Sequence, residues 1–434
     1  MASAANLGPL VRLWGISASR LPSPSVSSDD LAPFLFSILQ EALPFIDSAA
    51  PRAADRPDST IKKEWKPKGV KSSPDSAAPV EVSERAVGAG ELETVVARAL
   101  LDDATRKKTQ ARLRNEVWAC RRSVHEDVPE KKGTASWAEF VRCFRDEHAA
   151  AEDGFTPAII ATCEALSWDC SGVGPVEIAD VEEEEEDGNT HNSGGGQRWG
   201  RFTLKVVEMR HKVGRPVLKD RTFPVLQLTA TAMTGSGAEA KEFVVVSIPL
   251  PDFGTSEASQ LAREKGAQIA VYVSVERIRV LEQNQAHQSG KAGEIEWLMA
   301  TASDAGGVLP SWVQNMAMPG MIWKDVPLFL KWIDGERRAM DVAKAGPPGD
   351  AAAGKSTENT STAAAAATTG TSKPAEGSAP AAAATAASAT ATATAPKQSA
   401  DDTDVTNKIA AAFDSTGETE AANTDPLTGS MSLK

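Results

Sequence analysis

Five extended segments follow one another between positions 199 and 303, and no helical pattern separates them. They cover 199–211, 221–233, 241–249, 268–281 and 294–303, and each is rich in β-branched and aromatic residues. The first two are joined through KVGRP, a glycine turn of hairpin length. Consecutive strands without crossover helices pair as an antiparallel meander rather than as βαβ units. A sheet of this size has a face to bury, so another part of the chain must cover it.

The stretch that follows the last strand supplies that cover. Positions 306–333 read GGVLPSWVQNMAMPGMIWKDVPLFLKWI, the most apolar and most tryptophan-dense part of the chain. Trp312, Met316, Pro319, Trp323, Val326, Leu330 and Ile333 recur at alternating spacings of four and three, which is one face of a helix. Lys324, Asp325, Lys331 and Asp334 lie off that stripe, and charges so central make a bilayer span costly. The apolar face is therefore expected to cover protein and ligand. Pro310 suits a first helical turn after Gly306-Gly307, whereas Pro319 and Pro327 are expected to kink or interrupt the helix.

Upstream, acidic residues open an apolar pattern of helical period over 29–46. Positions 49–78 read as loop with short extended pieces, 90–114 as a helix with a charged outer face, and 116–128 as a strand. The segment 136–151 returns to helix. Ser136 is its expected cap, Glu139 completes a capping box, and Trp137, Phe140, Val141 and Phe144 share one face.

Composition sets the domain limits. From about position 343 the chain is Ala, Thr, Ser, Gly and Pro with scattered charge, too poor in large apolar groups to offset the entropy of ordering. The expected organisation is one α+β domain over 1–342, with an acidic disordered insertion about 181–197, and a disordered tail over 343–434. A net charge of −13 argues against binding nucleic acid through its phosphates. Four cysteines without a CxxC pair fit a reducing, cytoplasmic compartment.

Motifs for chemistry are sparse. Cys120 and His125, like Cys143 and His148, are five apart, which points them to opposite sides of a strand or about 140° apart on a helix. No metal or cofactor is therefore expected. The chain also lacks a GxSxG elbow, an HExxH pair and a phosphate-cradling GxxxxGK[ST] loop.

Three motifs in order carry a resemblance. They are W-x-x-R-R-S-x-H (Trp118, Arg121, Arg122, Ser123, His125), D-R-T-F-P-V-L (Asp220 to Leu226), and L-P-x-W-x-Q-x-x-x-x-P-G with K-D-V-P-x-F-L-x-W (Leu309 to Trp332). Over roughly 7–340 the chain resembles the START-like domain of unknown function found widely in fungal proteins. The resemblance implies a helix-grip fold: a curved antiparallel sheet wrapped around a long C-terminal helix, with N-terminal helices and a hydrophobic tunnel between. Members of the wider class bind sterols, phospholipids or other apolar molecules, so the family supplies an architecture and not a substrate.

The expected function is accordingly a binding protein for a lipid or other hydrophobic small molecule, with transfer and a transient membrane contact as extensions. Cavity candidates are Trp118, Arg122, His125, Glu208, Arg221, Phe223, Trp297, Trp312, Met316 and Trp323. Each charged member either orients a polar head group or faces solvent, because half of a strand's side chains point each way. Two other readings stand: an interaction scaffold whose tail recruits a protein partner, and a hydrolase or cyclase on the same fold using His125 with Arg122 or Glu126.

Overall fold

The computed structural model describes residues 8–49, 64–99, 103–110, 115–178, 196–212, 219–281, 293–306 and 318–345. The chain divides into a unit over 1–340 and another over 341–434. Nearly all of the tail, and nearly all of the acidic insertion, lie outside the described residues.

In chain order the elements are α1 (Ser28–Ala49), β1 (Lys66–Lys71), β2 (Val80–Val87), α2 (Ala89–Arg98), α3 (Asp103–Gln110) and β3 (Glu116–Glu126). Next come α4 (Trp137–Phe140), a π-helical turn (Val141–Asp146), α5 (His148–Phe155), β4 (Ile159–Trp168) and β5 (Val176–Ile178). Strands β6 (Gln197–His211), β7 (Arg221–Met233), β8 (Glu239–Pro249), β9 (Gln268–Ile269), β10 (Val271–Leu281) and β11 (Glu294–Asp304) precede the last helix, α6 (Asp325–Ala345).

All the strands join one sheet in the order β1-β2-β3-β11-β10-β8-β7-β6-β4, with β5 on β6 and β9 on β7. Every pairing is antiparallel except the short β7–β9 contact. The meander expected over 199–303 is present, and the chain adopts the α+β class expected of it. Strand β3 completes the sheet by pairing with β11, the last strand.

The two-residue period divides the sheet's side chains between two cores. On β8, Val244, Val246 and Ile248 enter the core shared with α1, whereas Phe243 and Val245 enter the core shared with α4–α5 and α6. We call the α1 side the outer face and the α6 side the inner face. Helix α1 remains helical despite Pro33 and Pro44. Each proline costs about 3 kcal/mol inside a helix, but eight side chains from Leu31 to Ile46 are buried, and each large one recovers about 1.5–3 kcal/mol. An ion pair fastens α1 as well, Asp47 meeting Arg277 of β10, and on the same face of the sheet Glu296 accepts from Arg279 and Arg122, both at 2.7 Å.

Upstream of α1 the chain is strapped across the sheet by buried carboxylates. Glu41 accepts the amides of Leu10 and Val11, and Glu116 accepts the Leu13 amide and the Arg12 guanidinium. Within this strap Gly15 has φ +70, and a Cβ there would lie 2.1 Å from the Pro249 carbonyl oxygen, which accepts the Ile16 amide. A Gly15→Ala change is expected to cost about 1–3 kcal/mol in chemical denaturation; a neutral result would show that the strap is not packed as described.

Several local expectations are corrected. Strand β4 escaped the two-residue reading because bulges at Ile159/Ala161 and Glu164/Leu166 break its alternation. All six residues of β1 are exposed, so it carries no apolar period. The helix expected over 90–114 stops at Arg98, where Ala99 turns extended, and resumes at Asp103. The helix expected over 136–151 begins with the predicted Ser136/Glu139 capping box but passes through a π-helical turn before α5. Pro327 does not kink α6: it sits in the first turn, where its missing N–H leaves no bond unmade.

Candidate functional site on the inner face

The inner face joins an aromatic wall to a group of charged side chains. From α4–α5 and α6 come Phe140, Phe144, Phe155, Val326, Phe329, Leu330 and Ile333, all buried against Trp297 of β11. Trp297 lies 4.7 Å from Phe144, tilted, and 5.5 Å from Phe329, edge-on, while Phe140 and Phe144 stack at 5.9 Å, offset and edge arrangements being those the ring quadrupole favours.

Beside that wall, alternation along β3 puts Arg121, Ser123 and His125 on the inner face. The Arg121 guanidinium lies over the Trp297 ring, 4.0 Å from its centroid. Glu276 of β10 accepts from Arg121 Nη2 at 3.3 Å and from Trp297 Nε1 at 2.6 Å. Asp325 of α6 stands 3.7 Å from Arg121 Nε, and His148 and Glu152 of α5 pair at 3.4 Å. Buried nitrogen atoms on this face without a hydrogen-bond partner are Arg121 Nε and Nη1, His125 Nδ1 and His211 Nε2. Groups of this kind ordinarily cost free energy, which makes this face the candidate site for a polar ligand group.

Electrostatics describe the same space. Desolvation pushes the Asp325 carboxyl up to about 7, opposed by Arg121 and reinforced by Glu152 and Glu276, yet 36 % of its side-chain surface is open. A carboxyl that keeps open surface while its surroundings oppose ionisation is a candidate contact for a polar ligand group. Burial, with Arg121 nearby, lowers His125 to about 4, so its imidazole is neutral. Burial also opposes the charged form of His148, but Glu152 outweighs it and raises the pKa. Burial opposes the ionised Glu152, but His148 beside it outweighs this and holds its pKa low.

These shifts set a pH dependence. The folded protein keeps the Asp325 proton up to about pH 7 and the unfolded chain releases it near 4, so this group makes stability fall as pH rises between those values. Urea titrations from pH 4 to 8 should show Asp325→Asn gaining on the parent protein across that window. A gap independent of pH would mean that Asp325 is fully hydrated.

The residues singled out from sequence divide between the two faces. Trp297 and His125 meet on the inner face, their rings 6.3 Å apart, with Ser123 Oγ 2.8 Å from His125 Nε2. Phe223 is also on this face, 5.1 Å from the His211 ring and 5.7 Å from Tyr272. Trp323 packs, partly buried, against the aromatic wall. Trp118 lies on the outer face, 4.5 Å from Phe45 of α1, and its indole donates to Glu116. Arg122, one residue out of phase with Arg121, pairs on the outer side with Glu296 and Glu81.

Glu208 is buried, but its carboxylate accepts the Ser259 hydroxyl and the amides of Gln260, Leu261 and Ala262, which clamp that loop. Arg221 donates to the carbonyls of Ala305 and Lys219. Trp312 and Met316 lie outside the described residues.

Four members of the group, Arg121, Glu152, Glu276 and Asp325, are not among the cavity candidates drawn from the sequence, although Arg121 belongs to the W-x-x-R-R-S-x-H motif. A signal was available for two of them. Arg121 and His125 are four apart on a strand and share a face, as Asp325 and Phe329 do on a helix. Among the described residues no group of three or more His, Cys, Asp or Glu side chains is placed to hold a metal ion, and no helix is long and apolar enough to cross a membrane.

The crystal structure of human STARD10 is similar at 12 % identity and a TM-score of 0.37, covering 77 % of this chain and 89 % of that one. Human StAR-related lipid transfer protein 5 is similar at 9 % identity and 0.36, covering 73 % and 100 %. No curated protein sequence matches. The family model described as "Protein of unknown function (DUF3074)" matches residues 118–333. Over that span, from β3 into α6, the chain therefore matches a family of unknown function, in line with the START-like resemblance that its motifs carry.

Proposed function

We propose that this protein binds a hydrophobic small molecule, with a lipid as the leading class, between the inner face of the sheet and α6. The observation that carries the reading is the buried Arg121 guanidinium, with two N–H groups lacking hydrogen-bond partners, next to an Asp325 carboxyl that is open yet poorly hydrated. An apolar ligand's body would rest on the half-buried Phe223, Tyr272 and Trp323, and its polar end would meet Arg121 and Asp325. This fits the usual form of small-molecule sites, which are apolar concavities with a few convergent polar groups. Transfer between membranes is the further step of the same proposal.

The test is native mass spectrometry and organic-solvent extraction of the purified full-length protein. One bound hydrophobic molecule per chain is expected, released by extraction. Repeated preparations that carry none, and that shield no added lipid from the aqueous phase, would end the proposal. Removing residues 346–434 should leave the bound fraction unchanged, since the wall and the charged group lie within 121–333.

A further inference from the structure

Once Asp325 ionises, above about pH 7, the charges on the inner face do not balance, and the imbalance specifies a ligand. Glu276 has Arg121 at 3.3 Å, and Glu152 has His148 at 3.4 Å. Asp325 is the third carboxylate. Among the described residues its nearest cationic atom is Arg121 Nε at 3.7 Å, on a guanidinium already engaged by Glu276. It makes no hydrogen bond among the described residues. His125, the other buried imidazole on β3, is neutral and offers no compensating charge. Both Asp325 and Glu152 keep open surface beside this group, 36 % and 29 % of their side chains. Arg121, 2 % exposed, leaves Nη1 without an acceptor.

Resting on the binding reading above, we propose that the ligand's polar end is a protonated amine with a neutral oxygen beside it. The ammonium sits against Asp325 and Glu152, and the oxygen accepts from Arg121. An ammonium supplies the positive charge that the third carboxylate lacks, whereas a carboxylate or phosphate head would add a fourth negative group to a poorly hydrated space. A hydroxyl alone satisfies Arg121 but leaves Asp325 uncompensated. The chemistry is that of a long-chain amino alcohol, and it disfavours free fatty acids.

The experiment uses the full-length protein at pH 7.5 with three probes of equal chain length, dodecylamine, dodecanol and dodecanoate, each below its micellar concentration, in isothermal titration calorimetry. Dodecylamine is expected to bind one-to-one and at least tenfold more tightly than dodecanol, with dodecanoate weakest. In Asp325→Asn the amine-to-alcohol ratio should fall at least tenfold; Glu152→Gln should lower it in the same direction and serves if the first variant does not fold. Equal affinities, a preference for dodecanoate, or a ratio unmoved by both substitutions would overturn the amine assignment while leaving hydrophobic binding intact. If none of the three probes binds, both proposals fall.

Discussion

Replacing Phe329 by alanine is expected to lower folding stability by about 3–5 kcal/mol, the range for deleting a large buried aromatic side chain. Phe329 is fully buried at the centre of the inner-face wall. Its ring lies 4.8 Å from Phe144, 5.4 Å from Phe140, 5.5 Å from Trp297 and 5.7 Å from Phe155. These partners come from β11, α4, the π-helical turn and α5, so the cavity left behind cannot be closed by shifting one element. Urea denaturation followed by tryptophan fluorescence reads the loss directly. A change below about 1 kcal/mol, less than a typical core Leu→Ala, would mean that α6 is not seated on the sheet as described.

Arg121→Met is expected to cost a similar amount for a different reason. The guanidinium is the only cation within hydrogen-bond distance of Glu276 among the described residues, and removing one partner of a buried pair typically costs about 3–5 kcal/mol by leaving a stranded charge. The cost should shrink when Glu276 is replaced by leucine in the same chain, because two apolar groups strand no charge. A double-mutant cycle separates the outcomes: a coupling of about 1–3 kcal/mol is expected for groups in direct contact, and simple additivity would mean that solvent reaches both groups.

Much of the framework is legible in the order of residues. The segments expected as strands over 199–303 form β6 to β11 with boundaries moved by one or two residues, and the Ser136/Glu139 capping box is made. The reason is local: a two-residue apolar alternation and a side chain reaching the N–H three residues on are both written in neighbouring positions. Where the local code is interrupted, as at the β4 bulges or within the fully exposed β1, legibility is lost with it.

The candidate site is legible only in part. His125, Phe223, Trp297 and Trp323 fall on the inner side, but Trp118 and Arg122 are out of phase with His125 and belong to the α1 side. Strand phase exposes that conflict, since 118 and 122 differ from 125 by odd numbers. Glu208 shows a limit of a different kind. A buried carboxylate is a reasonable ligand contact by type, yet the loop over Ser259–Ala262 occupies both of its oxygens.

By itself the sequence determined an α+β chain with an antiparallel meander, an apolar segment to cover it, and a family resemblance, because each of these rests on spacing between near neighbours. Only the tertiary structure decided which charges meet. Arg121, Glu152, Glu276 and Asp325 come from β3, α5, β10 and α6, and their separation of up to about two hundred positions leaves no local signal. Pairing β3 with β11 and seating α6 across both brings them together, and Coulombic interactions in poorly hydrated surroundings then give the group its unequal balance of charge.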